Sequence, residues 1–100
     1  MYEIPLSNWD ELCATFSQIF DNLGSISVDD NSLKFTSNPS DVKTGLIIHR
    51  SGQLIANMPL HEVDTIISLV RIDEKMEMIE LIGQNIEYKY CIPPQLLLRR

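Results

Sequence analysis

Residues 7–24, SNWDELCATFSQIFDNLG, constrain the fold of this chain more than any other stretch. Trp9, Leu12, Cys13, Phe16, Ile19, Phe20 and Leu23 recur at spacings of three and four, which gathers them on one stripe of an α-helix. Such a stripe has to be covered. Ser7 stands where an N-cap belongs, Asp10 and Glu11 put negative charge in the first turn, and Gly24 is placed to end the helix as a left-handed C-cap. A helix of roughly 18 residues runs about 27 Å at 1.5 Å per residue, enough to lie across several strands.

After Gly24 the period changes from 3.6 to 2. Strand-forming runs fall near 25–29, 32–37, 44–50, 53–59, 65–72, 75–82 and 86–92, followed by a tail at 93–100. Asp29-Asp30-Asn31 supplies a turn, Asn38-Pro39-Ser40-Asp41 a surface loop, Ser51-Gly52 a tight hairpin connection, and Gly83-Gln84-Asn85 another. Residues 60–73 carry both a helical stripe (Leu60, Val63, Ile66, Ile67, Val70) and a β-branched density that suits a pleated surface. The strand over 65–72 is preferred, with a bend at Pro59. Pro93-Pro94 ends the last strand, and QLLLRR can pack back, fray or dock on a partner. The expected architecture is α+β: an N-terminal amphipathic helix packed across a twisted antiparallel sheet of about six strands, built as a β-meander of hairpins.

One hundred residues make one domain, and 44% hydrophobic with 22% charged residues is ordinary for a globular chain. No apolar run approaches the roughly 20 residues needed to span a bilayer, and the Met-Tyr-Glu start lacks a signal-peptide pattern, so a cytoplasmic protein without a membrane role is expected. The formal net charge is −6, and residues 1–30 hold Glu3, Asp10, Glu11, Asp21, Asp29 and Asp30 with no Lys or Arg. An acidic surface of this kind repels phosphates, so no nucleic-acid partner is expected, whereas a basic protein could be one.

The chemistry-bearing residues are sparse. Cys13 and Cys91 lie far apart without metal or disulfide spacing. Cys13 belongs to the apolar stripe, and Cys91, beside Lys89, is the thiol that could be reactive. His61, Glu62 and Asp64 form a polar cluster that could pair a general base with a carboxylate, yet no nucleophile is spaced to use it. Neither phosphate-binding nor dinucleotide glycine motifs occur, so no cofactor, metal or catalytic residue is assigned and an enzyme is the less favoured class.

One helix covers one sheet face, while Ile47, Ile55, Ile67, Leu69 and Ile79 place apolar groups on the other. That pattern points to a small non-catalytic interaction module, self-associating as a homodimer or docking on a protein partner through an apolar sheet face. A small-molecule-binding domain is the alternative, with a cavity between helix and curved sheet lined by Phe16, Phe20, Met58 and Tyr90. An acidic inhibitor or immunity-type protein is a weaker third.

Overall fold

The computed structural model describes residues 2–41, 43–58 and 61–100, with the side chains of Met58 and residues 61–63 outside that description. The bend expected at Pro59 falls outside it too. In chain order the elements are β1 (Tyr2–Pro5), α1 (Trp9–Ile19), β2 (Gly24–Val28), β3 (Ser32–Ser37), β4 (Gly45–His49), β5 (Gln53–Met58), β6 (His61–Ile66), β7 (Leu69–Ile72), β8 (Met78–Ile82), β9 (Glu87–Cys91) and the short α2 (Pro94–Leu97). This is an α+β fold in which α1 packs against two antiparallel sheets. Sheet I has the order β1-β7-β8-β9 and sheet II the order β2-β3-β4-β5-β6.

Helix α1 is shorter than its apolar stripe. Asn8, not Ser7, occupies the N-cap, and its side chain reaches the Glu11 carboxylate instead of a backbone amide. Glu11 also accepts the Tyr2 hydroxyl, which ties the first helical turn to β1. At the other end the helix stops at Ile19, and Asn22 takes the left-handed backbone conformation (φ 66°) that a short polar side chain tolerates. Gly24 has a different use from the helix cap expected of it. It opens β2, where a Cβ would lie 2.3 Å from the Thr36 carbonyl oxygen.

Sheet II is a meander in register: Ile26 faces Phe35, Phe35 faces Leu46, Leu46 faces Ala56 and Ala56 faces Val63. Residues 61–72 resolve as strand, broken into β6 and β7. The break is where the two sheets join. The Ile67 amide donates to Gly52 O (2.8 Å) in the turn before β5, whereas the next amide, Ser68, donates to Ile82 O (2.8 Å) at the end of β8. Leu6 N then reaches Ser68 O (3.0 Å), so β1 and β8 take over as neighbours.

The side-chain alternation slips at this point. Ile67 is inward, Leu69 half-exposed, and Val70 and Ile72 inward again. A continuous strand would have put Ile67 and Leu69 on the same face, so the expectation that Ile67 belongs to an exposed apolar face is corrected: it is 2% exposed. Ile79 is corrected for a related reason. Strand β8 begins only at Met78, because Asp73 Oδ1 accepts the amides of Glu77 (2.7 Å) and Met78 (3.0 Å) and holds the preceding residues in a turn. Ile79 then faces Ile72 and Tyr90 inside the core.

The core is a single cluster drawn from α1, both sheets and Leu96 of α2. Phe20 sits at its centre, stacked on Phe35 of sheet II (centroids 4.2 Å apart) and edge-on to Tyr90 of sheet I (6.1 Å), with Phe16 at 4.8 Å. The Tyr90 hydroxyl meets Thr44 Oγ1 at 2.7 Å, and Thr44 Oγ1 donates its one proton to Asn57 O at 3.0 Å. Tyr90 is therefore the donor to Thr44, a polar link between the sheets inside an apolar core. The C-terminus packs back: Leu96 is buried, and Arg100 Nη2 donates to Ile19 O (2.8 Å) at the C-terminal end of α1 and to Met76 O (2.5 Å).

Two measurements test this packing. A Cβ on Gly83 would lie 2.2 Å from the Ile66 carbonyl oxygen, so Gly83→Ala forces backbone apart at the junction. It is expected to lower unfolding free energy by about 3 kcal/mol in urea titration. Burial pushes the Tyr90 hydroxyl up from 10.0 to about 12. Below pH 10 the phenol is protonated in both folded and unfolded chains, and its contribution is complete. Between pH 10 and 12 the unfolded chain releases its proton first, so stability declines, by up to about 3 kcal/mol in total. Tyr90→Phe is expected to cost about 1 kcal/mol at neutral pH and to remove that part of the alkaline decline.

Candidate functional site

The two sheets differ in what they turn away from the core. On sheet I the outward row across the strands is Glu3, Arg71, Glu80 and Lys89. Arg71 Nε lies 2.6 Å from Glu3 Oε2 and Arg71 Nη1 lies 3.8 Å from Glu80 Oε2, so opposite charges alternate along it. Arg71 joins Glu3 to Glu80 in this way, while Lys89, at the end of the row, forms no ion pair among the described residues. The Glu3 carboxylate accounts for the raised pKa of Arg71 and keeps the guanidinium charged.

Sheet II is different. Its inner positions Leu33, Phe35, Leu46, Ile48, Leu54 and Ala56 are at most 1% exposed. The opposite face carries the row Ser27, Lys34, Ile47, Ile55 and Asp64, and beside it Ser25, Thr36, Gly45 and Asn57. Ile47 and Ile55 are directly paired across β4 and β5 and are half-exposed. Gly45 projects no side chain between Thr36 and Asn57, which leaves a depression of about 180 Å³ flanked by Lys34, Lys43, Ile47 and Ile55. A second hollow, of about 320 Å³, opens over Ser25 and Ser27 towards Lys34 and Thr36. Ile66, 62% exposed, stands at the far end of the sheet.

Charge on this face is left over. Arg71 and Arg99 have carboxylate partners, and Arg50 donates to the Asp30 carbonyl. Neither Lys34 nor Lys43 forms an ion pair among the described residues. The result is an apolar pair, two small-residue hollows and two lysines without an ion pair among the described residues.

The expected site residues divide accordingly. Ile47 and Ile55 come together on the outer face of sheet II, Leu69 lies half-exposed on sheet I opposite Pro5, and Ile67 and Ile79 are core. Phe20 lies at ring-contact separation from both Phe16 and Tyr90, so no ligand-sized space separates it from these neighbours. Met58, as a cavity residue, and His61 and Glu62, as polar-cluster residues, concern side chains outside the description. Asp64 is exposed and accepts from Gln53 Nε2 at 3.3 Å.

Cys13 is half-buried against the core, and burial together with the nearby Asp10 carboxylate raises its pKa, which keeps it a thiol and a poor nucleophile. Cys91 is exposed. Asp29 accepts the amides of Asn31 (2.7 Å) and Ser32 (2.8 Å), and these bonds depress its pKa and fix the β2–β3 turn as a structural feature. Among the described residues no group of three or more His, Cys, Asp or Glu side chains is gathered for a metal ion, and no helix is long and apolar enough to cross a membrane.

Sequence reasoning missed Lys34, Lys43 and Gly45. The available signal was a glycine at the outward position of a strand, flanked in the chain by Lys43 and Ile47. Compared with family models, curated proteins and solved structures, the chain finds no match.

Proposed function

We propose that this protein is a small non-catalytic interaction module that docks on a protein, a second copy of itself included, through the outer face of sheet II. The observation that carries the reading is the half-exposed Ile47–Ile55 pair in the middle of that face, on the side of the sheet away from α1 and the core. Apolar surface framed by polar residues is the usual composition of a docking patch. The outer row of sheet I, Glu3, Arg71, Glu80 and Lys89, is charged at every position and has no comparable apolar pair. Two free cysteines, one of them exposed, suit a reducing compartment such as the cytoplasm.

Five strands spaced about 4.8 Å apart and roughly 17 Å long make a small face. Such an area sits at the low end of specific interfaces, so the association is transient. A photo-crosslinking residue at position 47 is expected to capture a protein partner in cells, while the same residue at position 89, on the outer face of sheet I, captures far less. Equal yields from both positions would sink the reading. Sedimentation velocity separates the self-associating form, which gains mass with concentration, from docking on another protein. Ile55→Lys is expected to abolish capture at position 47 while changing unfolding free energy by less than about 1 kcal/mol.

A further inference from the structure

We infer that the free edge of β2 accepts an extended, acidic segment of a partner protein as an additional strand of sheet II. The inference rests on the interaction-module reading and names the mode and chemistry of docking. Sheets expose four edge strands here, β1, β9, β2 and β6. Three of them carry the devices that discourage strand addition: Glu3 and Pro5 on β1, Glu87 and Lys89 on β9, and Glu62 and Asp64 on β6. Strand β2, Gly-Ser-Ile-Ser-Val, has neither charge nor proline, and Ser25, Ser27 and Val28 are exposed.

The hydrogen-bond phase of β2 is fixed by its hairpin. Asp29 N donates to Ser32 O (3.0 Å), and on the other side of β3 Ser37 N donates to Thr44 O (3.0 Å). Bonded positions alternate along an antiparallel ladder, so Ser25 and Ser27 spend their backbone groups on Thr36 and Lys34. The N–H and C=O groups of Gly24, Ile26 and Val28 therefore point out of the sheet edge, the template a new strand requires.

Charge selects the occupant. A residue of the added strand on the outward face beside Ser27 lies about 10 Å from the Lys34 backbone, two strand spacings away. Ser25 and Ser27 are small, and the hollow above them runs to Lys34. An extended lysine stem and a glutamate side chain close that gap over the serines, and Lys34 has no carboxylate of its own among the described residues. A second copy of this chain suits the edge less well, since its own β2 presents Ser25 and Ser27, and no carboxylate, on the face that carries Lys34.

The test uses the full chain and two capped peptides, Val-Glu-Val-Glu-Val and Val-Lys-Val-Lys-Val, with amide hydrogen exchange as the readout. Exchange at Ile26 and Val28 is expected to slow roughly tenfold when the glutamate peptide is present at about ten times its dissociation constant. The lysine peptide is expected to leave it unchanged. Lys34→Glu should reverse that preference without disturbing the fold, because Lys34 is exposed. Val28→Pro, which removes an outward donor, should abolish protection at Ile26. If Val28→Pro does not fold, the charge reversal alone decides. Unprotected Ile26 and Val28 at saturating peptide, with capture at position 47 retained, overturn strand addition and leave the module reading intact. Protection that grows with protein concentration in the absence of peptide makes the second copy the occupant and overturns the acidic segment. Loss of both protection and capture overturns the two readings together.

Discussion

Between Ile66 and Ser68 one extended strand gives up one neighbour and takes two others. Successive amides bond in different directions, Ile67 to Gly52 and Ser68 to Ile82, and the strand leaves sheet II to become the second strand of sheet I. The two sheets can then converge on one core, because the slip in alternation keeps Ile67, Val70 and Ile72 all inward across the change. The close approach of Gly83 to the Ile66 carbonyl belongs to the same junction. A side chain there would hold the sheets apart and leave the helix without one of its walls.

Given that junction, α1 fills the space between the sheets, and Phe20 is the residue that touches both, through Phe35 on one side and Tyr90 on the other. The Thr44–Tyr90 hydrogen bond adds a directional link where dispersion and hydrophobic contact are non-directional. The C-terminal residues complete the enclosure, with Leu96 in the core and Arg100 on the last helical carbonyl. A cation in that position also offsets the negative end of the helix, which carries no basic residue of its own in the last turn.

The aromatic rings around Phe20 pack against one another, so the docking proposed for this protein is on the outside. Sheet I joins Glu3, Arg71 and Glu80 along one outer row, whereas sheet II carries an isoleucine pair, two hollows and the lysines Lys34 and Lys43 on its outer face. The uncharged edge of β2 adjoins that face, so a partner strand and a docked surface could be engaged by one protein at once. In the acidic first third of the chain Glu3 is paired with Arg71, while Glu11 accepts from the uncharged Tyr2 and Asn8 and keeps its charge.

The α+β class, the helix at Trp9–Ile19 and the hairpins at Ser51-Gly52 and 83–85 were legible in the residues, because periodicity and turn chemistry are local. Strand β1 was not: four residues ending in proline carry little pattern, and it forms only because β7 offers it an edge. Ile67 and Ile79 were misplaced because the face a strand residue occupies depends on where the strand starts and whether its alternation slips, and both are set by distant neighbours. Lys34 and Lys43 acquire meaning only once the structure shows that neither forms an ion pair among the described residues. The sequence alone determined the first helix, most of the strands that follow it, and that apolar residues exceed what one helix covers. Tertiary structure decided that the chain makes two sheets, which isoleucines remain outside, and which edge is left open, because each of these depends on hydrogen bonds between residues far apart in the chain.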